Sequence, residues 1–336
     1  MTATASGPDL TTLGPLASGL ARIGGAMRET ALVPLRHGAV DLHAKLEYAN
    51  PNGSSKDRSA FWILKRAVER GDVTERTTVV ESSSGNFALS MASFCRVLGI
   101  DFVPVIDPNC NASTEAYLRL TCDRVEKVTE RDATGGYLAT RLRRVAALRA
   151  ELPAAFWPDQ YGNADAVEAH YLLTGGELVR AFDRIDYAFI GAGTGGTIGG
   201  VSLRLKEAYP GVRVVAVDAE GSAIFGGAPK TRRIPGLGSS MVPPLIGKAL
   251  IDEVLIVSEP DTVRGCHDLL REHGLYAGGS TGTVYSALTR YFADLPAGGA
   301  GPRPTAVFLC ADRGTAYADT IYNPAWAATL LDPAPA

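Results

Sequence analysis

The chain lacks any cysteine pattern. Its five cysteines, Cys95, Cys110, Cys122, Cys266 and Cys310, form no C-x-x-C pair, and their number is odd. Neither a zinc site nor a disulfide framework is expected, so the metal expectation is none and the cysteine usage fits a reducing cytoplasm. No run of 18 or more apolar residues occurs, which argues against a membrane span. The N-terminus has no basic start and no unbroken apolar stretch, so it does not read as a signal peptide. Nor is there a basic block: 33 basic residues face 36 acidic ones, for a formal net charge of −3. Nucleic-acid binding is not expected.

What is present is a globular composition, with 46% hydrophobic and 21% charged residues over 336 positions. That length allows two domains or one large α/β unit. Short β-rich runs alternate with helical patterns: strands over 40–47, 77–81, 101–106 and 124–128, and helices over 58–70, 87–98, 113–122 and 136–152. A second series follows, with strands at 186–190, 212–217, 255–258 and 305–310 and helices at 195–208 and 261–273. This alternation predicts α/β architecture with mostly parallel sheets flanked by helices. Two series suggest two domains with a cleft between them. The Pro/Gly-rich stretch 294–304 reads as a loop.

Residues 191–196, GAGTGG, match G-x-G-x-x-G through Gly191, Gly193 and Gly196, after a strand and before a helix. Asp218 closes the next strand at roughly the 20-residue distance of a dinucleotide fingerprint. Taken alone, this loop suggests an NAD(P)-dependent oxidoreductase. Its physics is less specific, because glycine backbone N–H groups and a helix N-terminus cradle any phosphate.

Other segments change the weighting. Lys56, one of seven lysines, lies in NPNGSSKDR (50–58) just before a helix. ESSSGN (81–86) and AGGSTG (277–282) are further small-residue turns between strand and helix patterns. In open α/β sheets such turns converge at the carboxyl ends of strands. A lysine amine there can form a Schiff base with an aldehyde cofactor. Residues Gly193, Thr194, Gly195, Gly196 and Thr197 can hold its phosphate, Asn86 its ring hydroxyl and Ser280 its ring nitrogen. Ser83, Ser84 and Gly85, at a helix start, suit a substrate carboxylate.

Together these motifs resemble the fold-type II pyridoxal 5′-phosphate enzymes, the group of cysteine synthase and cystathionine β-synthase. The lysine motif Asn50–Arg58, the loop Ser83–Phe87, GTGGT at 193–197 and Gly278–Ser280 carry the likeness, over about residues 15–325. It implies a tryptophan synthase β-like fold of two open twisted sheets with the active site in the interdomain cleft. It also implies a flexible tail over 1–14, a smaller domain over 51–159, a larger one from 15–50 plus 160–326, and a second tail over 327–336. A homodimer is that family's habit. KLEYANPNGSSKDR (45–58), VVAVDAEGSAIFGG (214–227), RRIPGLGSS (232–240) and DRGTAYADTIY (312–322) further resemble the synthases of 2,3-diaminopropionate pathways in siderophore and peptide-antibiotic biosynthesis. That resemblance implies joining O-phospho-L-serine to L-glutamate with release of phosphate, through an α-aminoacrylate. A cysteine synthase or cystathionine-forming enzyme is the alternative. Phe87 departs from the threonine of sulfhydrylases, either lining the cleft or packing beneath its helix. Gln160 and Tyr161 resemble the family's glutamine-containing active-site segment. Arg232 and Arg233 are candidates for binding the leaving phosphate or the acceptor's side chain.

Overall fold

The alternating pattern resolves into two sheets in the computed structural model, which describes residues 14–295 and 302–331. The strands are β1 (Leu32–Leu35), β2 (Asp41–Lys45), β3 (Thr78–Ser82), β4 (Asp101–Ile106), β5 (Glu126–Lys127), β6 (Ala155–Phe156), β7 (Tyr187–Gly191), β8 (Arg213–Ala219), β9 (Glu253–Val257) and β10 (Thr305–Leu309). The larger sheet runs β1-β2-β10-β7-β8-β9, antiparallel between β1 and β2 and parallel elsewhere. The smaller runs β5-β4-β3-β6 and is parallel throughout. β7 and β8 are central, and their near-continuous apolar sequences fit strands covered by helices on both faces.

The helices are α1 (Pro15–Ala26), α2 (Lys56–Arg70), α3 (Asn86–Leu98), α4 (Ala112–Thr121), α5 (Leu138–Glu151), α6 (Asp165–His170), α7 (Gly176–Ala181), α8 (Gly196–Ala208), α9 (Glu259–His273), α10 (Gly279–Tyr291) and α11 (Pro324–Leu331). A π-helical turn, Tyr171–Gly175, joins α6 to α7. Gly71 and Gly99 stop α2 and α3 with φ of 79° and 70°, the left-handed conformation that glycine adopts without steric cost.

The expected C-terminal tail needs correction. Its first residues, 327–331, are the end of α11, where Ala327 is buried and Trp326, Leu330 and Leu331 pack against Ile234, Val263 and Tyr317. The apolar stretch AWAATLL gains more from burial than from solvation. Residues 332–336, the expected tail over 1–13 and most of the 294–304 loop lie outside the described residues. The β5 run is also shorter than the sequence pattern predicts.

A buried ion cluster joins the larger sheet to the start of α2. Arg58, 1% exposed, donates from Nε to Glu47 Oε2 (2.7 Å) and from Nη1 to Glu177 Oε1 (2.6 Å). Lys45 Nζ lies 2.5 Å from Glu177 Oε2, so two cations balance two carboxylates. Removing one member strands the others without water. Arg58→Met is therefore expected to lower stability by about 3–5 kcal/mol in urea unfolding; a loss under about 1 kcal/mol would show that the cluster contributes little.

Glu81, near the end of β3, holds the segment after β6 against the smaller sheet. Its Oε1 accepts from Ser82 N (2.7 Å) and Trp157 Nε1 (3.3 Å), and its Oε2 from Gln160 N (3.3 Å). Burial pushes this carboxyl up to about 8 from an ordinary 4.5. A raised carboxyl favours the folded state while it is protonated. Its contribution is full below pH 4.5 and is lost as pH rises through about 8. Glu81→Gln should flatten the fall in urea midpoint across that window, and an unchanged pH profile would contradict this account.

Candidate active site

Three helix starts meet at the carboxyl ends of the larger sheet's strands; the turn before Ser280, expected to follow a strand, instead joins α9 to α10. Lys56 at the start of α2, the loop Gly193–Thr197 between β7 and α8, and Ser280 in the first turn of α10 line one pocket. Backbone bonds hold this meeting point: Ser55 N donates to Ala311 O (2.8 Å), and Gly278 N to Asp312 O (2.9 Å).

The loop before α8 is shaped for an anion. Gly195 has φ of 94°, and a Cβ there would sit 2.7 Å from Ile246 N, so the backbone can approach its neighbours only without a side chain. The N–H groups at the start of the 13-residue α8 add the positive end of its dipole. Thr197 Oγ1 lies 3.1 Å from His170 Nε2, which is also 3.1 Å from Ser59 Oγ on α2. Thr174 Oγ1 is 2.9 Å from the other ring nitrogen. Burial, with Lys56 and Arg58 nearby, pushes His170 well below its ordinary pKa, so the ring is a neutral tie between α2 and the anion loop.

At Lys56 burial lowers the amine's pKa, and the nearby Asp312 carboxyl acts in the opposite direction. Ser280 is 6% exposed, and a Cβ on Gly236 would approach its Oγ to 2.3 Å. An amine, a glycine-built anion cradle and a buried hydroxyl in one pocket fit pyridoxal 5′-phosphate. Lys56 would carry the aldehyde carbon, residues 193–197 the phosphate and Ser280 the ring nitrogen. Asn86 stands beside this pocket as the first residue of α3, and its Nδ2 donates to Asp312 Oδ2 (2.8 Å).

The substrate loop separates by role. Ser83 Oγ accepts from Ala88 N (3.2 Å) and so satisfies an N-terminal donor of α3. Ser84 Oγ donates to Asp107 Oδ2 (3.0 Å) and accepts from Arg141 Nη1 (2.9 Å). Gly85 is exposed at the helix start. The placement of Phe87 at the cleft is corrected: it is 1% exposed and lies in the core with Met91 and Ile63. Its apolar ring is better buried beneath α3 than left at a polar loop. Gln160 is buried and donates from Nε2 to Ser82 O (3.0 Å), which makes it an anchor of the loop. Tyr161 lies near Arg141, and burial raises its pKa.

The arginine pair divides. Arg232 donates from Nη1 to Gly221 O (2.7 Å), with the buried Asp218 nearby. Arg233 lies over the Trp326 ring at 4.6 Å and is a surface contact. Asp218 accepts from Ala219 N (2.8 Å) and faces Ser222 and Arg232, an arrangement turned inward rather than toward a ribose. Sequence reasoning passed over Arg141, His170 and Asp312. Arg141 is one of several arginines on α5, and sequence offers nothing to single it out. In the fold its Nε lies 3.2 Å from Asp107 Oδ2, misaligned for a hydrogen bond, and is buried without another partner.

The model of the pyridoxal-phosphate dependent enzyme family matches residues 23–311. A curated relative, N-(2-amino-2-carboxyethyl)-L-glutamate synthase of Ralstonia nicotianae, is 41% identical over 292 residues, covering 86% of this chain and 85% of the relative. Among solved structures, the O-acetylserine dependent cystathionine β-synthase of Helicobacter pylori matches with a TM-score of 0.80 at 24% identity, over 89% of this chain and 97% of that one. A hydrogen sulfide-producing enzyme of Fusobacterium nucleatum matches with a TM-score of 0.80 at 25% identity, over 88% and 98%. With Lys56, the 193–197 loop and Ser280 lining one pocket, the chain belongs to the pyridoxal-phosphate dependent enzymes.

Proposed function

We propose that the protein joins O-phospho-L-serine to the amino group of L-glutamate, forming N-(2-amino-2-carboxyethyl)-L-glutamate and phosphate. It is a β-replacement enzyme using pyridoxal 5′-phosphate. The observation that carries the choice of substrates is the 41% identity, over most of both chains, to a synthase of that name. The geometry supports an anionic donor, because Arg141 sits against Ser84 and Tyr161 on the substrate loop's side of the cleft. We keep the two-domain partition expected from the sequence as part of this reading, since all four strands of the smaller sheet fall within 51–159, although α1 of the 15–50 segment packs against α2 and α3. The five free thiols support a cytoplasmic setting. Among the described residues no helix is long and apolar enough to cross a membrane. We take the working form to be a homodimer, as in the family.

The bound cofactor would supply an aldehyde for the amine and an electron sink for the substrate's Cα. The chain supplies the rest. N–H groups at the start of α3 receive the substrate carboxylate, and Gln160 keeps their loop against β3. With the cofactor bound, the free Lys56 amine would take the Cα proton and later return it. A desolvated amine with a lowered pKa is suited to that task. Arg141 receives the phosphate on the β-carbon, where its Nε has an unfilled donor position. Arg232, within electrostatic reach of Tyr161, would offer its charge to the acceptor's side chain.

The function is tested by product mass with O-phospho-L-serine or O-acetyl-L-serine as donor and L-glutamate or sulfide as acceptor. The phospho donor with glutamate should dominate, and Lys56→Ala should abolish turnover and the absorbance of lysine-bound cofactor. Preferred formation of cysteine would overturn the substrate assignment, and full turnover by Lys56→Ala would overturn the mechanism. Arg141→Lys retains a charge beside Asp107 but loses the two-pronged donor. It should raise KM for O-phospho-L-serine about tenfold, the loss of one charge-assisted bond, and barely affect O-acetyl-L-serine. Equal losses with both donors would remove the phosphate role.

A further inference from the structure

Asp312 is a carboxyl group in an unusual position. It follows β10, is 4% exposed, and its backbone bridges to Ser54, two residues before Lys56. Two donors converge on one of its oxygens: Asn86 Nδ2 at 2.8 Å and Tyr317 OH at 2.9 Å, both to Oδ2. Its Oδ1 is buried without a partner. The space it occupies is reserved, since a Cβ on Gly278 would lie 2.0 Å from Oδ1. A buried acceptor normally has its bonds filled, so an oxygen orphaned on a carboxyl beside Asn86 and Lys56 calls for a use there.

We propose that Asp312 is a positioning residue that fixes the amide of Asn86 and supplies the buried negative charge opposite the nitrogen of Lys56 when the cofactor is attached. The assignment of Lys56 as the cofactor's lysine underlies this inference. Asn86 has one amide group to offer a ring hydroxyl. With Nδ2 committed to Asp312, that amide cannot flip, and its remaining hydrogen and its carbonyl have set directions. The charge acts separately. A carboxylate beside a cationic nitrogen stabilises the protonated form.

The surroundings leave Asp312 as the charge that matters. Lys56 faces it from α2 and Tyr317 from the turn after β10. Cys266 of α9 and Cys310 of β10 feel its charge. Burial pushes the tyrosine and both thiols up, so they stay uncharged. His170, facing Lys56 from α6, is neutral. Burial also raises Asp312 itself, while Asn86, Tyr317 and Lys56 pull it back.

The test is a pH titration of the visible absorbance of purified holoenzyme, followed by equilibrium dialysis for cofactor affinity. Asp312→Asn keeps an acceptor oxygen for Asn86 and Tyr317 but removes the charge. It should retain cofactor and lower the pH midpoint of the lysine-linked chromophore by about one unit or more. Asp312→Ala removes both roles, and should weaken cofactor binding as well. An Asp312→Asn midpoint equal to that of the unaltered protein would overturn the proposal. If the unaltered protein shows no lysine-linked chromophore, the Lys56 assignment fails instead, and the two failures are distinguishable.

Discussion

The position of Lys56 depends on Arg58, two residues later on the same helix. Its guanidinium is held by Glu47 from the segment after β2 and by Glu177 from α7, with Lys45 of β2 closing the charge balance. These side chains are almost without solvent, so none can leave without stranding the others. A helix N-terminus would ordinarily fray. Here it is clamped from two directions, and the amine two residues earlier inherits that precision. The π-helical turn after His170 belongs to the same clamp, since Thr174 within it touches both the imidazole and Glu47.

From this fixed point the site is assembled by backbone approach more than by side-chain reach. Gly195, Gly236 and Gly278 each stand where a Cβ would collide with a neighbour at 2.7 Å or less. Their absence of side chains brings the anion loop, Ser280 and Asp312 within range of one small molecule. The glycine richness visible in the sequence is therefore a statement about closeness. It does not by itself say which phosphate is held, which is why GAGTGG with Asp218 resembles a dinucleotide fingerprint. In the fold Asp218 turns toward Ser222 and Arg232.

The sequence was most legible where function is written in consecutive residues. Lys56, Gly193–Thr197, Asn86 and Ser280 lie in short motifs that each open a helix, and strand β4 falls at the expected residues, 101–106. Legibility failed where a role depends on which face of an element a residue occupies. Arg141 differs from Arg143, Arg144 and Arg149 only in pointing toward Ser84 and Asp107. Phe87 adjoins the substrate loop in sequence, yet the first turn of α3 rotates it into the core. His170 and Asp312 act across 111 and 226 residues of chain, on Ser59 and Asn86, and no local pattern encodes such pairings. The α11 helix was missed because its apolar face has meaning only once Ile321 and Tyr317 are present to cover it.

The assembled cleft is electrically directional. At one end, N–H groups and the dipole of α8 favour an anion, and the imidazole touching Thr197 stays neutral, so the attraction there comes from the backbone. At the other, the Asp312 carboxyl is buried beside Asn86 and Lys56. A phosphate presented to that end would meet a buried carboxyl and no cradle of N–H groups, in a poorly solvated place. A molecule with phosphate at one end and an aldehyde at the other thus has one favourable direction of entry. In that direction Lys56 would receive its carbonyl carbon and the start of α8 its anionic group. Orientation is set by charge before any side chain has to close on the ligand.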